Sequence, residues 1–397
     1  MTDNEYILQH RHDDVHQLAL RPSPADIDIK WCLQQIEGWQ LACRKLPRWA
    51  TVEGLWYPPH LAMEQCSGEE SAAYKRRLAE RLLPSKEHRH SMIDLTGGYG
   101  VDFSYLGQAF DEPVYVERQE NLCNIARHNF PLLKLKHARI VCEETQVHSP
   151  FLQNGYDLIY VDPARRDNDG HKTIAVEDCT PDLSKLQEQL LAKSHCVMVK
   201  LSPMLDITQA LRTLHHVGEV HVISVHGECK ELLLVMSGET TGEPVFHCVN
   251  LGTADPPCSC RRSSIPAPAC AGDPATYLYE PNASILKANV QDILAGGMAI
   301  SKLHPMSNLF TSDTLHTDFP GRIFRIEAWS HPNKRESRKL LTGIQQANIT
   351  IRNFPGSVAQ LRRQLNLREG GNIYLFATTI ADGSHALIRC RKIAREN

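Results

Sequence analysis

Between Ser91 and about Gly238, short apolar runs alternate with helical patterns, and this alternation limits the possible folds more than any other feature of the chain. The apolar runs have the length of strands and read SMIDLTG, EPVYVER, HARIVCE, YDLIYVD, HCVMVKL, EVHVISV and KELLLVM. Segments between them, such as QENLCNIARHNF and PDLSKLQEQLLAK, space apolar residues three and four apart. Strands that alternate with helices build a mostly parallel, doubly wound sheet, so the sequence predicts an α/β fold here.

The segments around this pattern differ from it, and we predict four regions. Residues 1–85 have helical periodicity and predict a helical N-terminal domain, whereas residues 86–245 hold the alternating pattern. Residues 246–321 open with a stretch rich in Pro, Cys and Ser, which predicts a linker, and continue into a small insert with a helix near Asn282. Residues 322–397 follow the order strand, helix, strand and hairpin, which predicts a small α+β domain.

Charge is distributed unevenly along the chain. From Arg322 to the end there are 14 Lys and Arg against five Asp and Glu, so this part carries +9 and the rest carries −12. A basic module on an acidic body indicates contact with a polyanion. No stretch has the length and hydrophobicity of a membrane-spanning helix, and the polar N-terminus lacks the apolar core of a signal peptide. We therefore predict a cytoplasmic protein without a membrane partner.

The 13 cysteines are scattered and odd in number, which is usual for reduced thiols in the cytosol. Cys258, Cys260 and Cys270 share one proline-rich segment, but the segment lacks the second pair of ligands that a structural zinc site needs. We predict no metal site from this pattern.

A glycine-rich loop, TGGYG at residues 96–100, follows the first apolar run, which ends at Asp94. Glycine permits positive φ and lets the backbone approach a ligand closely. Glu117 ends the second run, where an acid can accept both hydroxyls of a ribose. The chain has neither a GxxxxGK[ST] phosphate loop nor the spacing of a dinucleotide-binding loop. A nucleoside without phosphates remains as the ligand, and S-adenosylmethionine fits.

The segments DLTGGYGVD, VYVERQ, IVCEE and DLIYVDPARR resemble, in this order, the motifs of class I S-adenosylmethionine-dependent methyltransferases. The resemblance covers about residues 91–238 and implies a Rossmann-like sheet with S-adenosylmethionine as cofactor. The residues that it implies around the cofactor are Asp94, Thr96, Gly97, Gly98 and Gly100 at the methionine part, Glu117 at the ribose, Glu143 at the adenine, and Asp162 beside the transferred methyl group. Thr96 replaces the first glycine of the usual loop, which is similar to nucleic-acid methyltransferases.

A wider resemblance covers nearly the whole chain. The segments YPPHLAMEQCSGEESAAYK, VKLSPMLDI and YLYEPNASILKA, together with the basic tail, resemble bacterial class I methyltransferases with a C-terminal THUMP-like domain and a ferredoxin-like insert. THUMP-type modules are associated with RNA. The resemblance therefore implies rRNA or tRNA as partner, which agrees with the basic charge of the tail.

The segment after the fourth run bears on the methylated atom. Asp162 is followed by Pro, Ala164 and Arg165, where amino methyltransferases typically have a second proline and an aromatic ring. The fifth run ends VKLSP and lacks the nucleophilic cysteine of 5-methyluridine enzymes, which disfavours covalent pyrimidine chemistry. We predict that Arg165 and Arg166 bind a substrate phosphate, with a salt bridge to a neighbouring acid as the alternative.

Lys75, Asp162, Lys200 and Glu231 occur in an order that resembles the catalytic tetrad of ribose 2′-O-methyltransferases. A partly desolvated lysine between acids can deprotonate a hydroxyl. The alternative is that Lys75 and Glu231 are ordinary surface charges. VKLSPMLDI followed by HGECKELLLV also resembles the trimethylguanosine-synthase branch, which acts on guanine amines. A base amine and a ribose hydroxyl therefore both stay open as acceptors.

Three functional hypotheses follow from these patterns. The first is a methyltransferase that modifies RNA. The second is a small-molecule O-methyltransferase whose basic tail serves folding or dimerisation. The third is a non-catalytic RNA-binding protein that retains S-adenosylmethionine as a structural ligand.

Overall fold

A computed structural model describes residues 1–22, 26–146, 148–165 and 175–394 of the chain. Two compact units are formed, one by Met1–Gly218 with Leu232–Gly242 and the other by Glu219–Glu231 with Glu243–Asn397. Among the described residues, no helix combines the length and apolar character needed to cross a membrane.

The helices are α1 (Asp3–His10), α2 (Val15–Ala19), α3 (Ile29–Lys45), α4 (Pro47–Ala50), α5 (His60–Gln65), α6 (Glu69–Leu82), α7 (Val101–Gly107), α8 (Glu120–Leu132), α9 (Leu183–Lys193), α10 (Ile207–Thr213), α11 (Ala283–Ala288), α12 (Ile293–Gly297), α13 (Lys334–Leu340) and α14 (Val358–Leu365). The strands are β1 (Ser91–Asp94), β2 (Glu112–Val116), β3 (Arg139–Val141), β4 (Tyr156–Val161), β5 (Ala164–Arg165), β6 (Cys179–Thr180), β7 (Ser194–Leu201), β8 (Val217–Val225), β9 (Glu228–Met236), β10 (Val245–Leu251), β11 (Cys258–Cys260), β12 (Tyr277–Pro281), β13 (Ser301–Lys302), β14 (Phe310–Ser312), β15 (Gly321–Ser330), β16 (Asn348–Arg352), β17 (Ile373–Thr379) and β18 (His385–Lys392).

The N-terminal segment of the first unit is helical, as the sequence predicts. A capping box starts α1, because the Thr2 hydroxyl accepts from the backbone of Glu5 and the Glu5 carboxylate accepts from the backbone of Thr2. Asp28 caps α3 in a similar way through the Trp31 N–H. Apolar side chains of α1, α2 and α3 form one small core of Tyr6, Leu18, Cys32 and Ile36.

The sheet of the first unit contains neighbouring strands in the order β9, β7, β4, β1, β2 and β3. β9 runs antiparallel to β7, and the other pairs are parallel. Central residues such as Ile93 and Ile159 are fully buried, which explains why these runs are apolar on both faces. This arrangement confirms the predicted α/β fold.

In the second unit, β8 pairs in parallel with β10, and β10 pairs antiparallel with β11. β11 lies inside the proline-rich stretch that the sequence analysis interprets as a linker. The strand forms there because Cys258 and Cys260 pair with Cys248 and Phe246 at the free edge of β10, and Cys260 is buried by this contact. A strand of three residues is too short for periodicity to predict it.

The remaining strands of the second unit form a seven-stranded sheet in the order β13, β14, β12, β15, β18, β17 and β16. Its core includes Leu278, Phe324, Phe376 and Ile388, so residues on both sides of Gly321 share one sheet and one core. The predicted C-terminal hairpin is present, with Gly383 at φ +85° in its turn. The charged sequence KRESRKL forms α13, which the sequence analysis missed because it has little apolar periodicity.

Candidate active site

The carboxyl ends of β1, β2, β4 and β7 carry the charged residues that the sequence analysis selects. Asp94 ends β1, Glu117 directly follows β2, Asp162 directly follows β4, and Lys200 is the penultimate residue of β7. Parallel strands β1, β2 and β4 present these ends at one edge of the sheet. This edge is where α/β enzymes bind their ligands.

The glycine loop is held tightly over the end of β2. The Gly97 N–H donates to the Val116 carbonyl at 2.8 Å, and a Cβ added to Gly97 would lie 2.1 Å from the ring of Tyr115. Gly100 adopts φ +85° as the N-cap of α7, a conformation that favours glycine. The Tyr115 hydroxyl donates to the Gly98 carbonyl. The sequence therefore needs glycine at these positions to let the loop pack against Tyr115.

Thr96, the first residue of the glycine loop, links this loop to the end of β4. Its hydroxyl oxygen accepts from the Asp162 N–H at 2.6 Å, and its own N–H donates to Asp94 Oδ1 at 2.9 Å. Burial raises the pKa of Asp94 well above its ordinary value, and the charges of Asp102 and Asp162 act in the same direction. The backbone hydrogen bond from Thr96 opposes this rise. Thr96 thus fixes the relative positions of two of the strand-end acids.

Glu117 is positioned by two backbone hydrogen bonds. Its Oε2 accepts from the Gly98 N–H and its Oε1 accepts from the Gln119 N–H, both at 2.8 Å. Each carboxylate oxygen has a second lone pair, so the group retains capacity for a pair of hydroxyl donors. The ribose of S-adenosylmethionine offers such a pair, and the acceptors in this site therefore fit the cofactor. Glu143, in the loop after β3, is exposed, and its role at the adenine stays a prediction.

Asp162 and Lys200 form a direct ion pair between Asp162 Oδ2 and Lys200 Nζ. The Lys200 side chain is 12% exposed and that of Asp162 is 35% exposed, so a substrate can reach the carboxylate more easily than the ammonium group. The structure thus brings together two of the four residues in the predicted tetrad.

A third member, Lys75, belongs to a buried network. Its side chain is 0% exposed, and Nζ lies 2.9 Å from Asp102 Oδ1 and 3.1 Å from Ser67 Oγ. Ser67 Oγ and the Tyr160 hydroxyl each donate to Asp102 Oδ2 at 2.7 Å. Burial alone would raise the pKa of Asp102, but Lys75, Lys200 and the hydrogen bonds lower it to about 2. Sequence reasoning missed Asp102, although an acid in the first turn after a glycine loop is a usable signal.

The remaining predicted site residues are Glu231 and the adjacent arginines Arg165 and Arg166. Glu231 is buried on β9, within the segment that belongs to the second unit. Arg165 lies on β5, which pairs with β6. Arg166 lies outside the residues that the structure describes. Catalytic and substrate roles for these three residues stay predictions.

Comparisons with known proteins identify the class. A crystal structure named "putative methyltransferase from Porphyromonas gingivalis W83" is 32% identical, covers 99% of this chain and 98% of that chain, and superposes with a TM-score of 0.85. An S-adenosylmethionine-dependent methyltransferase from Agrobacterium tumefaciens is 16% identical over 43% of this chain and 62% of its own, with a TM-score of 0.33. One from Clostridium acetobutylicum is 18% identical over 36% and 53%, with a TM-score of 0.26. Scores as low as the last two add nothing to the assignment.

Two family models match the C-terminal part. A ferredoxin-like domain matches residues 277–320, and a domain described as THUMP domain-like matches residues 321–392. No curated protein sequence matches the chain. The fold, the strand-end site and the whole-length match together define a class I S-adenosylmethionine-dependent methyltransferase. Within this class, the chain belongs to the family of the Porphyromonas gingivalis protein and carries ferredoxin-like and THUMP-like domains at its C-terminal end.

Glu117→Ala is expected to weaken cofactor binding by about 1.5–3 kcal/mol, because it would remove the charge-assisted hydrogen bonds that Glu117 is predicted to make to the ribose. Isothermal titration calorimetry with S-adenosylhomocysteine measures this change. Glu112→Ala is the matched control, since Glu112 is exposed at the opposite end of β2. If the wild type and Glu117→Ala bind S-adenosylhomocysteine with equal affinity, Glu117 does not contact the cofactor.

Proposed function

We propose that this methyltransferase modifies RNA, in rRNA or tRNA, at a base amine or a ribose hydroxyl. The observation that carries the proposal is the +9 charge of residues 322–397 in an otherwise acidic chain. Basic surfaces of this kind supply the sequence-independent part of nucleic-acid affinity. The match to a THUMP domain-like model over the same residues supports the proposal, because THUMP-type modules are associated with RNA.

The exposed cations of α13 are the best candidates for contacts with phosphates. Four of its seven residues, Lys334, Arg335, Arg338 and Lys339, are basic and exposed. Four arginines of this domain have acidic partners instead. Glu280 contacts Arg322 and Arg352, and Glu327 contacts Arg389 and Arg391.

A polar recess in the same domain supports the proposal further. Its volume is about 510 Å³, and it is lined by Gln345, Gln346, Arg368 and Asn372, together with the Glu327 carboxylate that pairs with Arg391. Amides and guanidinium groups can donate to phosphate oxygens and to the edges of unpaired bases. The recess is therefore suited to a nucleotide of a single-stranded segment.

In this proposal, Asp162 acts on the substrate. Its carboxylate orients an amine or hydroxyl and accepts its proton, while Lys200 holds the carboxylate through a charge-assisted hydrogen bond. S-adenosylmethionine, when bound, supplies the electrophilic methyl group. Thr96 fixes the backbone of Asp162, and the glycine loop and Glu117 hold the cofactor.

Changing the four basic residues of α13 to glutamine is expected to weaken RNA binding and to reduce its dependence on salt. Each lost phosphate contact on single-stranded RNA lowers the slope of log K against log salt by about 0.7, so four contacts account for about 3. Fluorescence anisotropy with labelled RNA at several salt concentrations measures both quantities. Substitution is preferable to truncation of the basic domain. Truncation would remove β15, which pairs with β12, and would leave β12 without this neighbouring strand.

A variant with Lys30, Arg44, Lys86 and Lys136 changed to glutamine is the matched control. These residues are exposed and lie in the first unit, so the variant loses the same charge elsewhere. The proposal predicts a much smaller loss of affinity in the control. Equal losses in the two variants, or none in either, would instead favour a small-molecule substrate.

A further inference from the structure

Three potential metal ligands meet in the second unit, on two neighbouring strands. Glu219 and His221 lie two residues apart on β8, and His247 is the register partner of His221 on β10. One ligand atom from each residue can be chosen such that all three atoms lie within 4.8 Å of one another. His221 is 1% exposed, whereas the side chains of Glu219 and His247 are 20% and 24% exposed.

The distances suit a small divalent ion. Glu219 Oε2 lies 2.8 Å from His221 Nε2 and 3.6 Å from His247 Nε2. Zinc binds nitrogen and oxygen at about 2.0–2.1 Å, which places two ligand atoms of a tetrahedral site about 3.3 Å apart. The two observed distances lie on either side of this value. Small side-chain movements are therefore enough to form the site.

Ser259 is placed to orient the His247 ring as a metal ligand. His247 Nδ1 lies 2.8 Å from Ser259 Oγ. When Nδ1–H donates to this hydroxyl, Nε2 carries the lone pair that a metal ligand needs. In this tautomer, a cation between His247 Nε2 and Glu219 Oε2, which lie 3.6 Å apart, would be attracted by both atoms. The rings of His221 and His247 stack at 4.6 Å with planes 14° apart, and the Nε2 atoms of both lie near the same oxygen, Glu219 Oε2.

We propose that Glu219, His221 and His247 bind a divalent transition-metal ion, Zn²⁺ by its ligand preference, and that Ser259 orients His247. Two imidazoles and one carboxylate form a ligand set that zinc uses with a fourth position open to water. The partial exposure of Glu219 and His247 gives that position access to solvent. The site joins β8 to β10 and uses none of the cysteines considered in the sequence analysis.

Titration of the full-length, tag-free protein with ZnCl₂ after treatment with a chelator tests the proposal. Isothermal titration calorimetry is expected to show one tight Zn²⁺ per chain, and Zn²⁺ is expected to raise the melting temperature. His247→Ala and Glu219→Gln are each expected to weaken binding more than about tenfold, and Ser259→Ala by about tenfold, because outer partners matter less than ligands.

His90→Ala is the matched control, because His90 is an exposed histidine that lies near two carboxylates, Asp111 and Glu112. Its Zn²⁺ affinity is expected to equal that of the wild type. Melting curves in chelator establish that each variant is folded, and Co²⁺ in place of Zn²⁺ is expected to give the intense visible bands of tetrahedral coordination. Absence of tight Zn²⁺ binding in the wild type, or unchanged binding in folded His247→Ala and Glu219→Gln, would overturn the proposal.

Discussion

Asp162→Asn is expected to lower the rate of methyl transfer by about 10²–10⁴-fold, the usual contribution of a positioned general base. Asparagine has nearly the same shape and can still accept a hydrogen bond from Lys200, but it cannot take a proton. The backbone of Asp162, which donates to Thr96 Oγ1, is unchanged by the substitution. Affinity for S-adenosylhomocysteine is therefore expected to stay close to that of the wild type.

Asp157→Asn provides the matched control for this experiment. Asp157 lies at the opposite end of β4 and accepts hydrogen bonds from the backbone of His90 and Ser91, which an asparagine oxygen can also accept. Turnover is measured with radiolabelled cofactor and RNA from cells that lack the protein. Wild-type turnover in Asp162→Asn would show that Asp162 does not act on the substrate.

Lys75→Met is expected to destabilise the first unit by about 3–5 kcal/mol, because it leaves the Asp102 carboxylate buried without its main cation. The side chain of Lys75 is fully buried and bonded to Asp102 and Ser67, so its removal cannot be compensated by water. Urea unfolding followed by tryptophan fluorescence measures the loss. Four of the five tryptophans, Trp31, Trp39, Trp49 and Trp56, belong to this unit.

A double variant separates the lost ion pair from the lost packing. Lys75→Met with Asp102→Asn removes both charges and is expected to be more stable than Lys75→Met alone. Lys86→Met, at an exposed lysine, is the control and is expected to cost little. A cost below about 1 kcal/mol for Lys75→Met would contradict the importance of the pair.

The same pair predicts a dependence on pH. The pKa of Asp102 is lowered in the folded state from 3.8 to about 2, so its ionised form stabilises the fold at pH values above about 4. This contribution is lost as the pH falls from about 4 towards 2. The stability difference between the wild type and Asp102→Asn is therefore expected to be constant near neutral pH and to shrink within that acidic window.

The sheet and the strand-end acids could be predicted from the sequence because both depend on local patterns. Each of the six strands β1, β2, β3, β4, β7 and β9 overlaps an apolar run, and Asp94, Glu117 and Asp162 directly end or follow such runs. Carboxyl ends of parallel strands meet at one edge, so the runs alone place these acids together. The glycine loop was predictable for the same reason, since its spacing is contained within a few residues.

Pairings between distant residues could not be predicted in this way. Lys75 on α6 meets Asp102 on α7 because the two helices pack, and periodicity indicates which face is buried but not which partner it meets. His221 and His247 become neighbours through the register of β8 and β10. The motif resemblance placed Lys75 in a catalytic tetrad; the structure adds a buried acid, Asp102, as its partner, and a catalytic role for Lys75 stays a prediction.

Methyl transfer to RNA is the measurement that tests the central claim most directly. Purified protein is incubated with labelled S-adenosylmethionine and total RNA from cells that lack the protein, and nucleosides from the digested RNA are identified by mass spectrometry. We predict that the label enters one methylated nucleoside in rRNA or tRNA and that Asp162→Asn abolishes this product. The RNA could stay unlabelled although the wild-type protein still binds S-adenosylhomocysteine. That result would contradict an RNA substrate and would leave the enzyme class intact.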